Sequence, residues 1–174
     1  MEMIELLRSR RSVRKFTTEA IEQEKMDLLK EALLRAPTSR NFKPCEFVFV
    51  DDSELLRQLA QCKPHGAAFL EYAPLAIVVC ADGDKSDVWI EDCSIASILL
   101  QMAAQSIGLG SCWVQVRNRM FDDKTTSDED VSNLLKMPDN IRVESIIALG
   151  YPAEEKEPIP FEDLDYRKIR INSF

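Results

Sequence analysis

Glycine is scarce in this chain, five in 174 residues. Neither G-x-G-x-x-G behind a strand nor G-x-x-x-x-G-K-S/T occurs, so a Rossmann nucleotide site, a P-loop and any glycine-rich phosphate cradle are excluded. Histidine is scarcer still. His65 stands alone, which argues against Ser-His-Asp and Cys-His hydrolase chemistry. Cysteines 45, 62, 80, 93 and 112 are odd in number and scattered. With acids and arginines interrupting the first helix there is no signal-like start, so reduced thiols in a cytoplasm are the expectation. Cys62-x-x-His65 is half a metal pattern that nothing nearby completes. Asp82-Gly83-Asp84 with Asp87 lacks the later ligands of a calcium loop and reads as a solvated turn. Positive charge is also short, 22 basic against 30 acidic side chains for a net −8, which argues against nucleic acid as the main partner. The most apolar stretch, Ile95 to Leu109, is broken by Gln101, Gln105 and Ser106, and reads as a buried helix, not a membrane span. Lacking acid–base and metal machinery of its own, the chain must take any chemistry from a bound cofactor.

What is present begins with a concentrated positive spot. Residues 1–18 hold Arg8, Arg10, Arg11, Arg14 and Lys15 against Glu2 and Glu5, a local +3 that leaves −11 for the remainder. Three guanidiniums and the Ser12 hydroxyl within five residues suit a small polyanion such as a phosphate monoester, which guanidiniums grip bidentately. The competing reading is the solvated end of a first helix.

The pattern of 45% hydrophobic and 30% charged residues predicts one globular domain over residues 1–174. Apolar spacing and end signals predict helices over Glu2–Arg8, Glu22–Ala36, Val88–Ile107 and a short one to Gln61 capped by Ser53. A further helix runs to Lys136, capped by Ser127. Strands are predicted at Glu46–Val50, Leu75–Cys80, Ser111–Val116 and Val143–Leu149, with Gly108 as the left-handed residue ending the long helix. From Ala153 the tail is charged and proline-punctuated. Its Ile159, Phe161, Leu164 and Ile171 still require a surface, its own or a partner's.

Four blocks, in order over residues 8–152, resemble the FMN-dependent nitroreductase family. Arg10 to Phe16, R-R-S-V-R-K-F, is similar to its R-R-S-x-R-x-F/Y opening. Ala36 to Phe47, A-P-T-S-R-N-F-K-P-C-E-F, resembles A-P-S-x-x-N-x-Q-P-W-x-F. Ile107 to Trp113 resembles the G-L-G-S-C-W block, and Ala148 to Pro152 the closing I-G-Y-P. The resemblance implies an α+β fold, a mixed sheet flanked by helices, in an intertwined homodimer with two FMN at its interface and the 153–174 tail extended over the partner. NAD(P)H would stack on the flavin, with ping-pong hydride transfer through N5 to a nitroaromatic, quinone or other small acceptor. No side chain is implied as catalytic acid or base, and neither metal, nucleic acid nor membrane is implied. The alternative is a flavin-binding redox sensor or carrier with little turnover.

Carried over by position, Arg10 and Ser12 match phosphate contacts and Arg14 the basic residue near N1 and O2 of the ring, while Arg11 contributes through its backbone. Thr38, Ser39 and Asn41 match a loop reaching the flavin of the second subunit; a plain turn is their other reading. Gly66 falls where an asparagine near the pyrimidine edge is common. Trp113, Val114 and Gln115 match the segment behind the ring, though Trp113 serves equally as core packing. Lys168 and Arg170 resemble a C-terminal basic pair that completes the phosphate clamp. Cys45 and Lys43 depart from the usual Trp and Gln.

Overall fold

The chain's longest apolar run lies at the centre of the molecule. In the computed structural model, which describes residues 2–174, strand β2 (Leu75–Asp82) is buried on both faces. Alternation sorts its side chains: Ala76, Val78 and Cys80 enter one core, Leu75, Ile77, Val79 and Ala81 the other. Helices α2 (Gln23–Leu34) and α4 (Trp89–Ser106) cover the second face through Leu29, Leu33, Cys93, Ala96 and Leu100. The first face is closed by α3 (Ser53–Leu59) and α5 (Ser127–Leu134) with Leu56, Leu59 and Val131. Helix α1 (Met3–Ser9) lies beside α4.

β2 pairs with β1 (Cys45–Val50) and β4 (Ile141–Gly150), and β4 with β3 (Gly110–Gln115), in the order β1-β2-β4-β3. The α+β class and the two helical layers are as expected. Where the resemblance implies a mixed sheet, these four strands pair antiparallel throughout. The parallel component is a single bridge between Ser12 and Ser111. The reason lies in the split crossover: β2–α4–β3 returns the chain in the same direction, but β4 inserts between the two strands and pairs antiparallel with both.

Helix ends follow local chemistry and shift two predicted caps by one residue. Asp52, not Ser53, caps α3 by accepting from Leu55 N–H at 2.9 Å. Thr126, not Ser127, caps α5 in a reciprocal capping box with Glu129. Gly108, at φ +82°, ends α4 in a Schellman arrangement. Its N–H donates to Gln105 C=O (3.2 Å) and Leu109 N–H to Ala104 C=O (2.9 Å). No helix among the described residues is long and apolar enough to cross a membrane.

Beyond β4 the tail makes only 3₁₀ turns, at Phe161–Asp163 and Tyr166–Lys168. Its prolines lack the N–H that a longer helix needs. Every residue from Glu157 onward is exposed in the single chain.

Candidate functional site

The segment after α1 is stitched onto the far edge of the sheet. Val13 N–H donates to Ser111 C=O (2.9 Å), Thr17 N–H to Tyr151 C=O (2.9 Å), and Ala153 N–H to Lys15 C=O (2.8 Å). Gly110 permits this approach: a Cβ there would stand 2.9 Å from Val13 Cβ. At Gly150 it would meet Pro74 at 2.6 Å and Phe16 at 3.0 Å. Close approach of the Arg10–Phe16 segment therefore requires glycine at Gly110, and at Gly150 together with Pro74, whereas Gly108 is set by its left-handed backbone.

Arg10, Arg11, Ser12 and Arg14 thus share one edge. Lys156, from the start of the tail, joins them by donating to Ser12 C=O (2.9 Å) and pairing with Glu154 (3.2 Å). Glu154 also accepts from Arg14 N–H (2.7 Å), which holds its carboxyl below the usual glutamate range. Arg11 donates to Glu157 C=O. Among the described residues none of the Arg10, Arg11 and Arg14 guanidiniums is neutralised by a carboxylate. Cationic side chains placed along one edge without carboxylate partners give that edge a positive potential, the electrostatics that draws an anion.

A second loop closes on this group. Lys63 Nζ donates to Gln115 C=O (2.8 Å) at the end of β3, and the Arg14 guanidinium lies 5.9 Å from the Phe69 ring centroid. The loop between Lys63 and Phe69 carries Gly66 at φ +80°, a conformation glycine and asparagine tolerate. Burial, with Arg119 nearby, pulls the Lys63 ammonium below its ordinary range. Val114 is fully buried and offers only its main chain, whereas Trp113 and Gln115 are half-buried on the opposite face. Trp113 Nε1–H donates to Gln115 Oε1 (3.0 Å), and Gln115 Nε2 to Arg117 C=O (2.8 Å), so both side chains are held in place.

Thr38, Ser39 and Asn41 lie elsewhere. Ser39 N–H donates to the buried Asp92 carboxylate in the first turn of α4 (2.8 Å), and Thr38 Oγ1 accepts from Lys43 N–H (3.0 Å). Arg40, Asn41 and Lys43 all have positive φ, 51°, 56° and 50°. Such backbone costs about 1–2 kcal/mol at each non-glycine residue, and it persists here against the Asp92 anchor and an Arg40–Asp87 ion pair. The cationic segment instead meets the other end of the same helix, where Ser9 accepts from Gln105 Nε2 (3.4 Å). Thirteen residues separate Asp92 from Gln105, about 20 Å at the helical rise. One chain therefore gathers Arg10, Arg11, Ser12, Arg14, Gly66, Trp113, Val114 and Gln115, and leaves Thr38, Ser39 and Asn41 at a distance. Lys168 and Arg170 are exposed on the tail, with the Arg170 guanidinium 5.4 Å from the Phe174 ring centroid.

Lys63 and Lys156 were not singled out by the sequence. Lys63 falls in no motif, and its one signal is a position three residues before a turn glycine. Lys156 sits just past the I-G-Y-P-like block, among acids that hide it.

An α+β protein with helices on both faces of its sheet, a cationic edge, and a strained loop at the opposite end of its central helix defines the class. The chain belongs to the nitroreductase family, whose profile matches residues 7–62 and 61–151. It is 48% identical to the solved FMN-dependent nitroreductase from Clostridium difficile R20291, with a TM-score of 0.97 over 98% of this chain and 99% of that one. Proteins named "Putative NADH dehydrogenase/NAD(P)H nitroreductase" from Archaeoglobus fulgidus and Methanothermobacter thermautotrophicus are 35% and 34% identical. Those matches span 90% and 88% of this chain and 88% and 79% of the relatives.

Proposed function

We propose that this protein is an FMN-dependent NAD(P)H oxidoreductase acting as a homodimer with FMN between the subunits. The observation that carries the reading is the separation along α4. The cationic edge and the Thr38–Asn41 loop meet opposite ends of α4, which favours an arrangement in which a second copy brings its loop to the first copy's edge. The exposed apolar tail supplies surface for such pairing. The FMN dependence of the Clostridium difficile relative and the NAD(P)H in the archaeal names support the choice of cofactor and reductant.

The donor set suits FMN chemically. Arg10, Ser12 and Lys156 offer charge-assisted and hydroxyl hydrogen bonds to a phosphate dianion, with Arg11 contributing through its backbone. Arg14 and Lys63 place positive charge beside the loop carrying Gly66, where it favours electron density on the pyrimidine edge of a flavin. Trp113, Val114 and Gln115 form the wall behind the ring. Lys168 and Arg170 reach the phosphate when the tail is laid down. The chemistry FMN supplies when bound is two-electron exchange, hydride uptake at N5 from NAD(P)H followed by delivery to a nitroaromatic, quinone or other small acceptor. The chain itself binds and orients; positioning accounts for its share of the rate.

The test is a visible spectrum of the purified protein followed by anaerobic titration with NADH and NADPH separately. A yellow protein bleached within the mixing time by either nicotinamide is expected. A colourless protein that takes up no FMN overturns the reading. A yellow one bleached only over hours makes it a flavin carrier or sensor instead.

A further inference from the structure

We propose that Cys45 and Cys93 form a peroxide-sensitive dithiol whose oxidation product is an intramolecular disulfide joining β1 to α4. Their sulfurs lie 3.8 Å apart, one on the first residue of an edge strand, the other in the second turn of the central helix. A disulfide needs about 2.05 Å, so the sulfurs must close by less than about 2 Å, a movement on the scale of side-chain rotation at two residues whose side chains already share one core cluster.

The pair is also the chemically distinct one among the five cysteines. Cys62 and Cys112 are buried away from any second thiol contact, and burial pushes the Cys62 thiol up to about 11 and Cys112 upward as well. Cys80 is buried, pushed up to about 12, and donates to Glu46 C=O (3.3 Å). Cys45 alone is half-buried. The hydrogen bond with Cys93 pulls its thiol down, against burial and the charges of Asp92 and Glu46. Cys93 is pushed up and keeps the shared proton. An accessible sulfur disposed toward thiolate, with a protonated buried thiol behind it, is the arrangement of an attacking and a resolving cysteine.

The oxidant is hydrogen peroxide. Cys45 sulfur attacks one peroxide oxygen; the O–O bond breaks and hydroxide departs, leaving a sulfenic acid. Cys93 sulfur then displaces the sulfenic oxygen, the S–S bond forms, and the thiol proton leaves with that oxygen as water. Two thiols give up two electrons, and one peroxide becomes two waters. The bond would bracket the Thr38–Lys43 loop. Cys45 lies two residues past Lys43, and Cys93 adjoins Asp92, the anchor of Ser39.

The experiment treats the FMN-loaded full chain, its thiols reduced, with a few equivalents of hydrogen peroxide, quenches with N-ethylmaleimide under denaturing conditions that expose all five thiols, and reads intact mass and a non-reducing peptide map. The expected result is a loss of about 2 Da, two of the five thiols closed to alkylation, and a Cys45 peptide joined to a Cys93 peptide. Dithiothreitol should reverse all three. Cys45→Ser should abolish the link and Cys62→Ser should retain it; should either variant fold poorly, the wild-type map decides. Five thiols still open, oxygen added to Cys45 without a cross-link, a covalent dimer, or a link to another cysteine overturns the proposal.

Discussion

Lys156 carries more weight than its place among Glu154, Glu155 and Glu157 advertises. Its ammonium sits at the Ser12 carbonyl (2.9 Å) and brings a fourth positive charge to the edge held by Arg10, Arg11 and Arg14. Lys156→Met should weaken FMN binding about 10- to 100-fold, the scale of one charge-assisted hydrogen bond at about 1.5–3 kcal/mol. Fluorescence titration of the apoprotein measures it, and unchanged affinity would remove Lys156 from the site. Glu144 poses a different question. It is 4% exposed, its Oε2 has no hydrogen-bond partner, and burial raises its carboxyl above the usual range, with Arg117 and Ser94 opposing. A raised folded value means the folded state favours the neutral acid. Its contribution is then fully present below the ordinary glutamate range and is lost as pH rises through the folded value. Glu144→Gln, which stays neutral, should therefore raise the melting temperature at neutral pH by the equivalent of about 1–3 kcal/mol. The gain should shrink in acid; a pH-independent gain would refute the explanation. At this scale the motif residues were legible, because Arg10, Ser12 and Arg14 sit in one contiguous run. Lys63 and Lys156 were not, since only folding brings them to Gln115 and Ser12.

At the scale of elements, close approach decides which residues are allowed. Gly110→Ala would push a methyl against Val13, and overpacking of this kind costs about 1–3 kcal/mol. Both stability in urea and FMN retention should fall, because the same contact seats Arg10 to Phe16 on β3. Val13→Ala in the Gly110→Ala background should restore part of the loss; a strictly additive double-mutant cycle would sever the two. The element types were legible from periodicity, and their ends moved for identifiable reasons. Asp52 and Thr126 take the caps predicted for Ser53 and Ser127 because their oxygens reach the N–H groups of Leu55 and Glu129 (2.9 and 3.1 Å). Strands β2 and β4 run past their predicted ends because pairing, Asp82 with Ile141 and Ala81 with Arg142, continues beyond the apolar stretch.

For the whole molecule, the tail from Glu157 onward is the stretch left exposed along its whole length in one chain. Ile169 is 63% and Ile171 82% exposed, and Ile95 and Ile98 add an apolar stripe on α4. Water does not favour such surface left open. Deleting residues 157–174 should convert a dimer to a monomer in sedimentation velocity and release FMN during gel filtration. A truncated protein that remains dimeric and yellow would assign the interface elsewhere.

Composition, periodicity and four short blocks were enough to establish a globular α+β chain that needs a borrowed cofactor, and to place a cationic segment after the first helix, since each of these depends on residues close together in sequence. The insertion of β4 between β2 and β3, the meeting of Lys63 with Gln115 and of Lys156 with Ser12, that of Cys45 with Cys93, and the α4 length that holds the cationic edge apart from the Thr38–Asn41 loop belong to the tertiary structure alone. They depend on contacts between residues tens of positions apart, and nothing in local pattern encodes which distant side chain will arrive.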